Sequence, residues 1–120
     1  MKRYYILMNK RTKQKGVGGD IYFVSEWYVV PSRGEHIGDN CFYQSRKWCG
    51  EIWYFLYDAP TGTYICREPT LKDLKYRVES EDFNNQLERV RKSDLYKLML
   101  RTFYKAMKEH AERVKGGKGK

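Results

Sequence analysis

Residues 51–67 read EIWYFLYDAPTGTYICR. The aromatic run Glu51–Asp58 is followed by a turn, Ala59–Thr63, with Pro60 then Gly62, and by a second run of β-formers, Tyr64–Arg67. Runs rich in β-branched and aromatic residues, bounded by Pro and Gly, are strands. Two of them across so short a turn form a hairpin, and the pair is antiparallel.

Working back from this hairpin, Cys41–Trp48 is a further strand candidate. Pro31–Asn40 (PSRGEHIGDN) has the composition of a loop. Ile21–Val30 (IYFVSEWYVV) is the densest strand signal in the chain. Strand alternation puts Ile21, Phe23, Trp27 and Val29 on one face. Tyr22, Val24, Glu26, Tyr28 and Val30 fall on the other, which Glu26 marks as partly solvated. Arg3–Met8 is a short first strand. Residues 9–20 (NKRTKQKGVGGD) are polar, basic and then glycine-rich, and read as a mobile loop. Four or five strands thus follow one another with no helix between them, which favours an antiparallel sheet.

Working forward, the periodicity becomes helical. Thr70 with Asp73 three residues on resembles a capping box, and Leu71, Leu74 and Val78 then share one face. Ser80 followed by Glu81 and Asp82 is a second start signal, and Phe83, Leu87 and Val90 form its stripe. The next stripe, Tyr96, Leu100, Phe103, Met107 and Val114, points almost oppositely at ~100° per residue. The phase break at Arg91–Asp94, with Ser93 as a fresh cap, predicts either two helices, 81–91 and 94–114, or one long helix that changes its buried side. Leu95 and Leu98 lie off the stripe, which offers a second apolar side to the preceding helix or to a second copy in a homodimer. The expected fold class is α+β: an antiparallel sheet of four to five strands with two or three C-terminal helices packed against it, the last long and basic. Residues 1–115 form one domain, and 116–120 (GGKGK) form a disordered basic tail.

Charge is sorted along the chain. Residues 1–15 hold six Lys/Arg and no acid, residues 86–120 hold eleven against four, and the middle holds seven against eleven, giving the net +9. Such sorting suits a polyanion or an acidic partner and excludes a DNA mimic, which must be acidic. Lys97, Arg101, Lys105 and Lys108 form a stripe opposite the apolar side of the last helix. It reads either as a solvated face or as a ridge that neutralises phosphates. Lys10, Arg11, Lys13 and Lys15, before the glycines, and Arg89, Arg91 and Lys92, at the end of the middle helix, are the other candidate contacts. The glycines of 16–19 are not a phosphate-binding P-loop, since no Gly-Lys-Ser/Thr follows them and a strand stands where a helix is required.

Other chemistries are weaker. The strand aromatics Tyr4, Tyr5, Tyr22, Tyr28, Trp53, Tyr54, Tyr57 and Tyr64 suit base stacking, but cross-strand aromatics also pack on one another. Gly19–Glu26 fails the RNA-recognition octamer at Asp20, Ile21 and Glu26. Cys41, Cys49, Cys66 and His36 lack the tight pair of a zinc site, and no metal or cofactor is expected. Glu35, His36, Asp39 and Cys41 offer reactive groups in one loop without a recognisable catalytic arrangement. His110 sits alone on the polar side of the last helix. An odd number of cysteines, three, with no apolar stretch of signal-peptide or membrane length, predicts a cytoplasmic protein with free thiols and no membrane association.

The expectation is therefore a non-enzymatic protein that binds nucleic acid or a nucleoprotein through basic surfaces. The alternative is a small protein inhibitor of a nucleic-acid-processing enzyme, of the phage or mobile-element anti-defence type such as a CRISPR inhibitor, acting by protein–protein contact.

Overall fold

The computed structural model describes residues 2–118, with side chains to Lys115. The chain runs β1 (Lys2–Lys15), β2 (Ile21–Ile37), β3 (Cys41–Trp48), β4 (Glu51–Asp58), β5 (Tyr64–Glu68), α1 (Leu71–Glu79), α2 (Glu81–Arg91) and α3 (Asp94–Lys118). The five strands form one antiparallel sheet in sequence order, and all three helices follow it. The architecture is the expected α+β.

Two expected loops are strand instead. Residues 9–15 continue β1, and 31–37 continue β2. The turn between the two strands is only residues 16–20, closed by Gly16 N–H donating to Asp20 O at 2.7 Å. Lys2 pairs with Gly34 and Lys15 with Ile21 without a register break, while β2 pairs with β3 only over Glu35–Ile37. Most of β1 and β2 therefore forms a two-stranded ribbon that overhangs the rest of the sheet.

The sheet coils strongly. Ile6 of β1 clusters with Phe42 of β3 and with Phe55 and Tyr57 of β4. In a flat sheet β1 and β4 would stand about 14 Å apart, so this contact requires the sheet to curl on itself. Tyr4 stacks on Phe42 at 4.2 Å, and Phe42 on Tyr57 at 5.1 Å. Gly34 permits the bend, because a Cβ there would lie 2.9 Å from the Phe42 ring. The curl brings β1 against the β4–β5 turn, where Leu7 N–H donates to Gly62 O at 2.9 Å. Gly62 has φ +67, and a Cβ would lie 2.4 Å from Tyr5 O, so only glycine fits.

The helices cover the other face. Leu74, Val78 and Leu87 of α1 and α2 pack on Cys41 and Leu56, while Ala106, Met99, Phe103 and Met107 of α3 pack on Leu7 and Val29. Each cap is where the sequence placed it. Thr70 Oγ accepts from Asp73 N–H (3.1 Å), Ser80 Oγ from Phe83 N–H (3.4 Å) and Ser93 Oγ from Tyr96 N–H (3.2 Å). The break at 91–94 is real, with α2 and α3 as separate helices. Helix α3 runs on to Lys118, past the expected stop at Gly116, and the rest of the expected tail, 119–120, lies outside the described residues. Leu95 and Leu98 are 67% and 48% exposed, so α2 does not cover them. Among the described residues no helix is long and apolar enough to cross a membrane.

A polar knot joins the two layers. The buried Asp58 carboxylate, at the end of β4, accepts from Arg91 Nε (3.0 Å) and an Arg91 terminal nitrogen (2.8 Å), Tyr96 Oη (2.7 Å), and Thr61 Oγ1 (2.6 Å) and N–H (3.2 Å). Arg91 also donates to the Asp39 and Asn40 carbonyls, at 2.8 and 3.1 Å. Replacing Asp58 with Ala removes the buried half of the ion pair of a largely buried guanidinium, leaving it to Asp39 and Asn40, and takes the Tyr96 hydroxyl's acceptor away. We expect Asp58→Ala to lose about 3–5 kcal/mol of stability in urea denaturation, whereas a loss under about 1 kcal/mol would mean that the apolar contacts alone hold the layers together.

The same region predicts alkaline sensitivity. Burial pushes the Cys41 thiol up to about 11 and raises Cys66 and Tyr57. Burial, the hydrogen bond to Asp58 and the Asp58 charge raise Tyr96. The folded state holds these protons more tightly than the unfolded chain. Their stabilisation is complete below pH about 9 and is lost as pH rises from there, with Cys41 contributing on the order of 2–3 kcal/mol by pH about 11. Urea midpoints measured from pH 8 to 11 should fall, and Cys41→Ala should fall less steeply.

Candidate functional site

The basic residues singled out in the sequence separate into three structural situations. Lys10, Arg11, Lys13 and Lys15 all lie on the β1 strand of the overhanging ribbon. Residues opposite one another in an antiparallel pair share a face. Arg11 opposite Ser25, Lys13 opposite Phe23 and Lys15 opposite Ile21 therefore share the face that, further down, carries Leu7 and Val29 against α3. Lys10 opposite Glu26 lies on the reverse face. The Arg11 guanidinium sits 4.7 Å from the Phe23 ring centroid, a cation–π contact that holds it flat on the ribbon.

The ribbon has no core of its own. Of Ile21, Phe23, Trp27 and Val29, the expected buried face of β2, only Val29 is buried, because the strand runs out beyond α3. Ile21 is 59%, Phe23 58% and Trp27 41% exposed. From Leu7 to Lys15 the arm reaches about 27 Å at strand rise. The radius of gyration, 17.2 Å, exceeds the roughly 13–14 Å of a compact chain of this length.

Lys97, Arg101, Lys105 and Lys108 are all exposed along α3, and among the described residues none is ion-paired. The ridge approaches the arm on one flank. An open cleft of about 740 Å³ lies between them, lined by Lys10, Glu26 and Trp27 on one side and Lys105, Glu109 and Arg113 on the other. The structure thus brings Lys10 and Lys105, 95 residues apart, to one site. Trp27 and Arg113 belong to that site without having been singled out as contacts. A short reach from Lys105 to Glu109 and Arg113 at i, i+4, i+8 was the available signal for the second of these.

The third group divides. Arg89 is exposed on α2. Lys92 is exposed but pairs with Glu88 at 2.9 Å. Arg91 does not face solvent as a phosphate contact would. Its side chain is 18% exposed and its donors are taken by Asp58 and Asp39, so it is a structural residue rather than part of a binding surface.

Of the remaining reactive groups, Cys41 meets Asp39, its thiol donating to Asp39 O at 3.4 Å beside Arg91. Cys41 opens β3 and Cys49 follows its last residue, Trp48, in the turn, so about 23 Å of strand lies between them. All three cysteines are free thiols, and no cluster of three metal-ligating side chains occurs among the described residues. Cys41 is buried and its raised pKa keeps it protonated, the opposite of what a nucleophile needs. His110 does not stand on a solvated face, since its ring meets Tyr5 edge-on at 5.6 Å. Comparison with protein-family models, curated proteins and solved structures gave no match to this chain.

If the arm is an appendage, replacing residues 11–25 by an Asn-Gly turn that joins Lys10 to Glu26 should leave stability within about 1 kcal/mol of wild type. Urea denaturation of the shortened chain checks this, and a collapse of the cooperative transition would place the arm in the core.

Proposed function

We propose that this protein binds nucleic acid through its overhanging arm and the α3 ridge. The observation that carries the reading is the arm itself: a two-stranded ribbon with Arg11, Lys13 and Lys15 aligned on one face among Phe23 and Trp27, leading to a cleft that shares Lys105 and Arg113 with α3. A two-stranded ribbon is one of the elements that fit the major groove of a duplex, about 12 Å wide. Cations on the ribbon and on α3 then neutralise phosphates on either side of the groove.

A protein-directed reading draws on one feature. The arm exposes Ile21, Phe23, Val24 and Trp27, and an exposed apolar patch is a common mark of a protein interface. Such an interface resists salt, because screening at about 0.5 M shortens electrostatic reach to a few Å.

A salt titration separates the two. Wild type should bind a labelled mixed-sequence duplex at about 50 mM salt with a steep log–log slope. The Lys97→Glu/Arg101→Glu/Lys105→Glu variant should lose roughly three units of that slope if all three residues meet phosphates. Absence of duplex binding by wild type at low salt would end the reading of the arm and ridge as a duplex-binding surface and leave the protein-directed one for them.

A further inference from the structure

Helices cover only one face of the sheet. On the other face, β3 presents Phe42, Gln44, Arg46 and Trp48, β4 presents Trp53, Phe55 and Tyr57, and β5 presents Arg67, as their cross-strand pairing requires. At one end the curl closes over Phe42, Phe55 and Tyr57, which are buried with Ile6. At the other end, among the described residues, no helix or strand covers the face. There the Arg67 guanidinium lies 4.2 Å from the Trp48 ring centroid and 5.3 Å from that of Trp53. The two indoles meet edge-on at 5.9 Å, and the Arg46 guanidinium lies 4.8 Å from the Phe55 centroid.

We infer that this open end, Trp48, Trp53, Arg46 and Arg67, is a stacking site for unpaired bases of single-stranded nucleic acid. Two observations select that ligand. Trp48 is 43% exposed at the end of a strand, and a large aromatic there gains little from the fold. Arg46 and Arg67 are exposed and, among the described residues, form no ion pair, so the two guanidinium groups, laid on Phe55 and on Trp48 and Trp53, keep edge donors for a phosphate. Glu51, opposite Trp48, is the carboxylate that shares this edge. Aromatic faces accept any base, and interleaved guanidinium groups meet the intervening phosphates. A duplex does not fit, because its base faces are already stacked on one another. The site rests on the nucleic-acid reading above but is separate from the arm and the ridge.

Tryptophan emission tests it. Trp27→Phe confines emission to Trp48 and Trp53, since the chain has three tryptophans. Titrating this full-length variant with an oligo-dT of about 12 nucleotides should quench that emission, and the same length of duplex should not. Trp48→Ala and Arg67→Ala, each checked for native circular dichroism and read by anisotropy of labelled oligo-dT, should each weaken single-strand binding roughly tenfold. Unchanged emission with oligo-dT, equal quenching by duplex, or full affinity in both alanine variants would overturn the site. Duplex binding by wild type, with no quenching of the Trp48 and Trp53 emission by oligo-dT, refutes this site alone. Quenching that survives Lys97→Glu/Arg101→Glu/Lys105→Glu, with no salt-dependent duplex binding by wild type, supports this site and refutes the arm and ridge.

Discussion

The carboxylate of Asp58 joins parts of the chain that otherwise meet mainly through apolar contacts. It stands at the end of β4, on the face that the helices cover, opposite Cys41. Taking a carboxylate out of water is unfavourable unless its lone pairs are filled. Here they are filled from both layers. Arg91 arrives from the end of α2, Tyr96 from the first turn of α3, and Thr61 from the β4–β5 turn. Arg91 then extends the connection to the β2–β3 turn through Asp39 and Asn40. Among the described residues no buried side-chain polar atom lacks a hydrogen-bond partner, so the knot carries no unmet desolvation. Such a network selects one arrangement over its neighbours as much as it adds free energy. What it selects is the direction of α3. The first turn of the helix is held at Asp58 through Tyr96, and the helix then runs along the β1–β2 pair, where Leu7 and Val29 receive Ala106.

That direction matters because the sheet is unequal. The ribbon strands β1 and β2 have 14 and 17 residues, whereas β3, β4 and β5 have 8, 8 and 5. The excess cannot be covered by the shorter strands, and α3 covers only its base. An isolated two-stranded ribbon is marginally stable in water, so the outer arm is held by its ladder, by contacts such as Arg11 on Phe23, and by its rooted end. Gly62 and Gly34 act at that root. They let the backbone of β1 and the rings of Tyr4 and Phe42 close upon one another, and so fix where the ribbon leaves the body.

Which parts were legible in the sequence follows from where burial imposes a pattern. The α2–α3 break was legible because two apolar stripes, each facing the sheet, disagree in phase at Arg91–Asp94. The caps at Thr70, Ser80 and Ser93 were legible because capping is local. The strand at 9–15 was not. Both of its faces are largely exposed, so no alternation of apolar and polar residues records the strand, and NKRTKQK looks like loop. Residues 31–37 failed for a related reason, since Gly34 is there for a close approach and not for a turn. Arg91 was misjudged because its partner Asp58 lies 33 residues away and nothing in the local pattern announces a buried carboxylate. The meeting of Trp48 with Arg67 was equally invisible, as it depends on the registers of two hairpins.

The two basic-aromatic surfaces share a cause. Each sits where the sheet extends past what covers it: the arm beyond α3 on one side, and the Trp48–Trp53 end beyond the curl on the other. Apart from Trp53, which packs against the Ile6, Phe42, Phe55 and Tyr57 cluster, the residues there take little part in the core, so packing does not dictate their identity. A polar, small-residue surface would serve the fold equally well at these places. Instead both carry large rings with guanidinium groups laid against them, Arg11 on Phe23 and Arg67 on Trp48. Laying a guanidinium on a ring reduces the rotamer freedom it would lose on meeting a phosphate, and leaves its edge donors free. The fold is thus built from the Asp58 knot and three apolar clusters, and its overhangs are where composition is free to answer to a partner.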